Sequence, residues 1–292
     1  KFTPMISAID TASASRAFHH TAAPSQAAAP VPAITGAIAL GRVRGRAPST
    51  HCARLAMPPS SHAARTGSGM AHNGRMIGVI GGSGFYSFFG SDARSLNLDT
   101  PYGEPSAPIT VGRVGTHEVA FLPRHGLSHQ YSPHTVPYRA NMWALRALGV
   151  RRVFGPCAVG SLTPELGPGA IVVPDQLVDR TRDRGDTYFD SGGIHVGFAD
   201  PYCPTLRAAA TGLPGVVDGG TMVVVQGPRF STRAESNWFA REGFTLINMT
   251  GYPEAVLARE LEMCYAAIAL VTDLDAGIET GGGVRGPTSR QA

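Results

Sequence analysis

Arg124 and His125 stand side by side and directly follow the apolar run 118–123. A guanidinium can fork onto two oxygens of a phosphate, and an imidazole can add a further hydrogen bond. A surface ion pair is the other use of such a dipeptide. Gly81-Gly82-Ser83-Gly84 follows the apolar run 76–80 in the same manner. Glycines there let main-chain N–H groups approach an anion, with the Ser83 hydroxyl as an added donor; an ordinary turn is the alternative. The segment is not the dinucleotide fingerprint, because the spacing G-x-G-x-x-G fails. Asp273 and Asp275 follow a third apolar run, 267–272. Two carboxylates at close range repel, so one can hold a proton near neutral pH and offer it to a ring nitrogen. Capping a helix or closing an Asx turn is the alternative for either residue alone. Phe230, after Gly227-Pro228-Arg229, offers an aromatic face to a heterocycle or fills a core. His129 and His195 read as structural on their sequence context.

These groups need elements to position them. Short β-rich runs alternate with helical patterns, the signature of an α/β sheet. Strands are predicted at 76–80, 118–123, from 152 through 161, and at 170–173, 221–225, 245–248 and 267–272. Tyr138, Met142, Leu145 and Leu148 fall at helical spacing, with Gly149 placed to cap them. A second helix is predicted over 254–264, with Val256, Leu257, Leu261 and Cys264 inward. Ser83, Arg124 with His125, the segment from Cys157 to Ser161, Thr250, and Asp273 with Asp275 then stand at the carboxyl ends of five strands. In α/β sheets the ligand crevice lies at those ends, so five strands can deliver these groups to one pocket.

Composition bounds the setting. The chain has 292 residues, 43% hydrophobic and 16% charged. That excludes a mostly disordered chain and suits one large domain or two small ones. No apolar run approaches the roughly 18 residues a membrane helix needs. The 36 glycines and 23 prolines show no period, which excludes collagen. The isoelectric point near 9.0 invites a nucleic-acid reading. However, residues 1–75 hold eight basic side chains and one acid, and the remainder is net acidic. The basic character thus belongs to an Ala-, Ser-, Pro- and Arg-rich segment that reads as disordered, and the rest has no electrostatic reason to bind nucleic acid. That segment suits either an organellar transit peptide or non-native sequence, with Met70 and Met76 as candidate starts. Cys52, Cys157, Cys203 and Cys264 lack zinc or disulfide spacing, so no metal site is expected. Buried, reduced thiols of a cytoplasmic protein are the expectation.

Five motifs in order now carry a resemblance. They are Gly78-Val79-Ile80-Gly81-Gly82-Ser83-Gly84, Arg124-His125-Gly126, Ala140-Asn141-Met142-Trp143-Ala144-Leu145, the run from Gly227-Pro228-Arg229-Phe230-Ser231 to Ser236, and Asn248-Met249-Thr250-Gly251-Tyr252-Pro253-Glu254. From about Met76 to Asp275 the chain resembles the methylthioadenosine phosphorylases of the trimeric purine nucleoside phosphorylase family. The resemblance implies one α/β domain over 76–275, a central mixed twisted sheet flanked by helices, and a homotrimer. It implies phosphorolysis of S-methyl-5'-thioadenosine to adenine and 5-methylthioribose 1-phosphate, with phosphate as co-substrate and no cofactor.

The resemblance also assigns residues. Ser83, Arg124, His125, Cys157, Ala158 and Thr250 would bind phosphate. Met249 would lie under the ribose, Phe230 against the base, and Ser231 at a position tied to substrate choice. Asp273, Leu274 and Asp275 would read the base, with Asp273 as the catalytic residue, and His195 would be lent to the 5′ pocket of a neighbouring subunit. Asp273, where 6-oxopurine members carry Asn, favours a 6-amino purine, since a carboxylate accepts from the exocyclic amine. A phosphorylase for methylthioinosine or 6-oxopurine nucleosides is the nearest alternative. Two departures stand out: Cys157 replaces a usual Thr, and 276–292 is a Gly-rich run where the family has an amphipathic helix lining the methylthio pocket. The second departure leaves open a catalytically weak protein that binds purine and phosphate.

Overall fold

The computed structural model describes residues 76–82, 89 and 93–278. Residues 1–75 and 279–292, and with them Met70 and most of the 276–292 segment, lie outside the described residues. Among the described residues, eleven strands form one mixed sheet. Its centre is built from β1 (Ile77–Gly81), β4 (His117–Pro123), β5 (Arg152–Ser161) and β11 (Cys264–Leu274). All five β1 residues are buried, as expected of a parallel strand covered on both faces. β1 lies between β4 and β5, parallel to both. β3 (Ile109–Val114) returns antiparallel to β4, and β2 (Arg94–Leu96) closes that edge.

β5 changes neighbours halfway along. One of its edges is paired with β11 from Arg152 to Ser161. Its other edge meets β1 only over Arg152, Val153 and Phe154, and meets β10 (Leu246–Asn248) only at Gly160 and Ser161. Residues 155–159 therefore have no ladder partner on that edge. Pro156 is tolerated in a central strand because its missing N–H falls in this interval. Beyond β10 lie β9 (Thr221–Val225) and β7 (Gln176–Arg180). Beyond β11 lie β6 (Ile171–Val173) and β8 (Val216–Asp218).

Alternating side chains fill two layers. Tyr265, Ala267, Ala269 and Val271 of β11 face the layer that also holds Met142, Leu145, Leu257 and Leu261. Those partners come from α1 (Tyr138–Ala147), from α4 (Gly251–Glu260) and from the residue that ends α4. Ala266 and Ile268 face the other layer, with Val79, Phe121, Phe154 and Leu206. Leu206 comes from α2 (Pro204–Thr211). α3 (Arg233–Arg241) seals a third patch through Phe239, against Val223 and Ile247. The fold is the mixed α/β sheet predicted. No helix among the described residues is long and apolar enough to cross a membrane.

Two predicted boundaries are corrected. The helix predicted over 254–264 runs instead from Gly251 to Glu260, because Glu262 turns the chain left-handed with φ 55°. Cys264 consequently opens β11 and is exposed, not inward. The last strand is longer than 267–272 and contains Asp273 within it. Gly149, by contrast, sits just past α1 with φ 84°, the left-handed place that helix ends favour for glycine.

Candidate active site

The interval at 155–159 is the candidate site. A residue in the middle of a central strand should be covered, yet Ala158 is exposed and Cys157 is only partly covered. The sheet opens there because β1 has ended and β10 has not yet joined. This is the reversal point at which α/β sheets bind ligands. The carboxyl end of β4 reaches the same opening: the Arg124 main-chain N–H bonds Gly81 O at 2.8 Å, and its guanidinium bonds Pro156 O at 3.0 Å.

Arg124 is 2% exposed. Its Nε donates to Glu254 Oε1 at 2.5 Å, and one terminal nitrogen donates to Glu254 Oε2 at 3.0 Å and to Ile80 O at 2.9 Å. Glu254 is fully buried and also accepts from Tyr265 Oη at 2.8 Å. Burial alone would lower the Arg124 pKa, but the Glu254 carboxylate more than offsets this and raises it, so the guanidinium stays charged. The structure thus places Arg124 at the opening as an internally braced cation, not as an open fork.

His125 is half-buried. Its Nδ1 lies 2.9 Å from Tyr131 O, and its ring stacks on His129 at 4.5 Å between centroids. A carbonyl oxygen only accepts, so Nδ1 carries the hydrogen and Nε2 is the lone-pair nitrogen. Desolvation lowers the His125 pKa to about 4, with nearby Arg124 and His129 acting in the same direction against the Tyr131 bond, so the ring is neutral at pH 7. Burial pushes the Cys157 thiol up to about 11. Thr250 is buried at the N-cap of α4, but its side chain does not cap that helix. Met249 is half-buried and packs on Gly227. A Cβ at Gly227 would stand 2.7 Å from the Met249 sulfur, and Gly227 has φ 65°, so glycine is required there twice over.

The purine-side candidates gather at the far end of β5 and β11. Asp273 pairs in register with Gly160 and Leu274 with Ser161, after an irregularity at Thr272 that re-aims the strand end. Thr272 Oγ1 donates to Asp273 Oδ1 at 2.7 Å. Burial raises the Asp273 pKa; the Thr272 hydroxyl opposes this and the Asp275 carboxylate adds to it. Asp275 is 3% exposed, and its Oδ2 accepts from both Ser231 and Ser236. Phe230, next to Ser231, is 49% exposed, so it is not a core side chain. A hollow of about 230 Å³ opens beside this group between Arg180, Arg229, Ser231 and Trp238. It touches the predicted set through Ser231.

One described candidate, His195, is not brought to this cluster. Ser83 lies outside the described residues. His195 is exposed in the connection from β7 to α2. That connection is tied by Gly197 O to Arg259 in the last turn of α4, the end opposite Thr250. Sequence reasoning missed Glu254 as the partner of Arg124, since 130 positions separate them. It also missed Ser236, although Thr232 and Glu235 spell the capping box that starts α3.

No group of three His, Cys, Asp or Glu suited to a metal ion occurs among the described residues. A family profile for the phosphorylase superfamily matches residues 76–286. The chain is 85% identical over 210 residues to S-methyl-5'-thioadenosine phosphorylase of Mycolicibacterium smegmatis, covering 72% of this chain and 81% of that one. It is 58% identical over 222 residues to a purine nucleoside phosphorylase of Streptomyces coelicolor, covering 71% and 79%. Among solved structures, methylthioadenosine phosphorylase from Schistosoma mansoni in complex with adenine superposes with a TM-score of 0.66 at 36% identity, covering 72% and 82%. With profile, relatives and sheet in agreement over the same span, the chain belongs to the phosphorylase superfamily.

Proposed function

We propose that the protein cleaves S-methyl-5'-thioadenosine with phosphate, releasing adenine and 5-methylthioribose 1-phosphate. The observation that carries this reading is the opening at residues 155–159, with the Arg124 guanidinium bonded to Pro156 O on one side and Asp273 paired with Gly160 on the other. Phosphate binds at the first end. Arg124 supplies fixed positive charge, Thr250 a hydroxyl, and the main chain at Cys157 and Ala158 further polar contacts; Ser83 belongs to the same set. His125 Nε2 accepts the P–OH hydrogen of hydrogen phosphate, because its own hydrogen is committed to Tyr131. Cys157 adds little as a donor, since a thiol is a weak one.

The bond that breaks joins the sugar to purine N9. The sugar passes through an oxocarbenium-like state, stabilised by the bound dianion that then attacks from the opposite face, so the 1-phosphate forms with inversion. The purine leaves with negative charge, and the site's largest task is to neutralise it. Asp273 does this at N7. Its raised pKa suits a carboxyl that shares a proton with a leaving base. Met249 lies under the ribose, Phe230 against the base, and Ser231, Leu274 and Asp275 complete the base wall. A homotrimer, in which His195 reaches a neighbour's 5′ pocket, accounts for its exposed position in one subunit. Relatives named for the same activity support the substrate. The test is phosphate-dependent cleavage of methylthioadenosine, methylthioinosine and inosine, each measured as kcat/KM. The first should exceed the others; preference for either 6-oxo substrate, or no turnover, overturns the reading.

A further inference from the structure

The proposed reaction needs Phe230 held against the base with Ser231 beside it, yet packing does little to hold them. Phe230 is half exposed, and Gln226, Gly227, Arg229 and Ser231 border the hollow of about 230 Å³. The loop is anchored at its two ends: Gly227 packs on Met249, and Ser231 donates to Asp275. Between them the Arg229 guanidinium closes a ring of hydrogen bonds. Its Nη1 donates to Phe230 O at 3.0 Å and to Glu235 Oε2 at 2.8 Å, and its Nη2 donates to Glu235 Oε1 at 2.8 Å. Glu235 Oε2 also accepts from the Thr232 main-chain N–H at 2.7 Å, and the Glu235 N–H donates to Thr232 Oγ1 at 3.2 Å.

We propose that Arg229 and Glu235 are positioning residues for the nucleoside, which latch the loop presenting Phe230 and Ser231 onto the first turn of α3, a role that rests on the phosphorylase reading of the site. An ordinary exposed ion pair would be worth little. Two features set this one apart. It is a fork on a fork, so two parallel bonds fix direction as well as distance. Each partner also holds a main-chain group, the Phe230 carbonyl on one side and the Thr232 N–H on the other. Those two groups belong to the peptides that flank Ser231, so both are fixed at once.

The Arg229 guanidinium, with the Thr232 N–H, holds the Glu235 carboxyl down to about 2. The carboxylate therefore stays ionised through the range of ordinary assays, and the latch answers to salt instead of pH. A purine entering the site meets a wall already ordered, so less freedom is lost on binding. Phosphate, placed by Arg124 and Thr250 from other elements, should not feel the latch.

The experiment measures KM for methylthioadenosine and KM for phosphate separately in the full chain and in Arg229→Ala, Arg229→Lys and Glu235→Gln. Lys keeps the charge but not the fork. Gln keeps an acceptor for the Thr232 N–H, and so keeps the cap of α3 while losing the charged fork. Each variant should raise KM for the nucleoside about three- to five-fold, the upper reach of an exposed pair, with KM for phosphate and Tm unchanged. The double variant Arg229→Ala with Glu235→Gln should rise no further, because the two side chains act as one unit. Methylthioadenosine is uncharged, so raising NaCl from roughly 0.05 to 0.5 M should raise its KM in the parent and not in the variants. A nucleoside KM equal to the parent's in the single variants, effects that multiply in the double variant, or nucleoside and phosphate KM values that rise together overturn the proposal. A second readout needs no turnover. Chymotrypsin cuts after Phe230 only when the Phe230 carbonyl is released, so Arg229→Ala should be cut there faster than the parent. A parent that does not cleave methylthioadenosine overturns the phosphorylase reading, and the cutting rate then decides the latch by itself: equal rates overturn it.

Discussion

The two ends of the opening are built differently. At the end proposed for phosphate the key side chain, Arg124, is as buried as the core and carries four hydrogen bonds, two of them to a buried carboxylate. At the end proposed for the purine, Phe230 is half exposed, Asp273 is partly covered, and Ser231 comes from a loop. One end is a fixed charge held by the sheet itself; the other is a strand end joined to a loop by the Asp275–serine bonds. A dianion of constant shape suits a rigid cradle whose reorganisation is completed at folding. A base and its sugar must enter and leave, which suits groups that stay accessible. Mutations at the first end should therefore act on folding and catalysis together, and at the second end the two should separate.

The largest effect is expected from breaking the buried pair. Arg124→Met leaves the buried Glu254 without its partner, which costs about 3–5 kcal/mol of stability. Adding Glu254→Leu removes the stranded polar group and should restore most of that loss, because apolar replacement of a buried pair is often neutral. Activity should stay lost in both. Urea unfolding and phosphate-dependent turnover of the single and double variants check this. A double variant with recovered turnover would remove Arg124 from the site.

Next is base choice. Asp273→Asn exchanges an acceptor for an amide that also donates, and so can face a 6-keto oxygen. The methylthioadenosine to methylthioinosine ratio of kcat/KM should fall by roughly ten- to a hundred-fold, the equivalent of about 1–3 kcal/mol. Stability should move the other way. A carboxyl whose folded pKa is raised contributes stability below its unfolded pKa and loses it as pH rises through the folded value. Asn does not ionise, so the variant should melt higher than the parent at pH 7. An unchanged ratio would return Asp273 to a structural role.

A pH series sharpens the phosphate end. The folded His125 pKa, about 4, lies below the unfolded value, so between roughly pH 6.5 and 4 the unfolded chain binds the extra proton. His125 therefore contributes stability above that window and loses it as pH falls through it. His125→Gln should flatten the drop in Tm between pH 6.5 and 4 relative to the parent. An identical slope would mean that the ring is as easily protonated folded as unfolded.

What was legible in the sequence follows from what is local. Arg124, Thr250 and Asp273 follow apolar runs, and a run that ends in a polar group announces a strand end. β1, β4, β9 and α1 were readable for the same reason. Glu254 was not: in the chain it is an acid in the first turn of α4, and its partner is brought by a parallel strand from 130 positions away. The partner change along β5 is likewise invisible locally, since Gly155 to Val159 look like any strand interior. The helix predicted to reach Cys264 failed because apolar spacing continues across Glu262, where the backbone turns left-handed. α3 escaped because only Ser236 and Phe239 are buried along it, too few to make a periodic stripe.

The smallest effect separates two serines on one carboxylate. Asp275 Oδ2 accepts from Ser231, which is half-buried beside Phe230, and from Ser236, which is fully buried in α3. If the purine end owes its position to the core and its chemistry to the loop, the two hydroxyls should differ in what they control. Ser236→Ala removes a hydrogen bond to a charged group, worth about 1.5–3 kcal/mol, and the lower figure is expected because Ser231 still satisfies the same oxygen. Its kcat/KM for methylthioadenosine should stay within about two-fold, well short of the ten-fold that 1.4 kcal/mol represents. Ser231→Ala should do the reverse: water can replace the hydroxyl at a half-open position, so stability changes little, while KM for the nucleoside rises. Denaturation midpoints and KM values for both variants decide it. Two variants that lose stability and affinity in the same proportion would show that Asp275 binds both serines as one rigid unit, and the contrast drawn between the two ends of the site would then fail at the purine end.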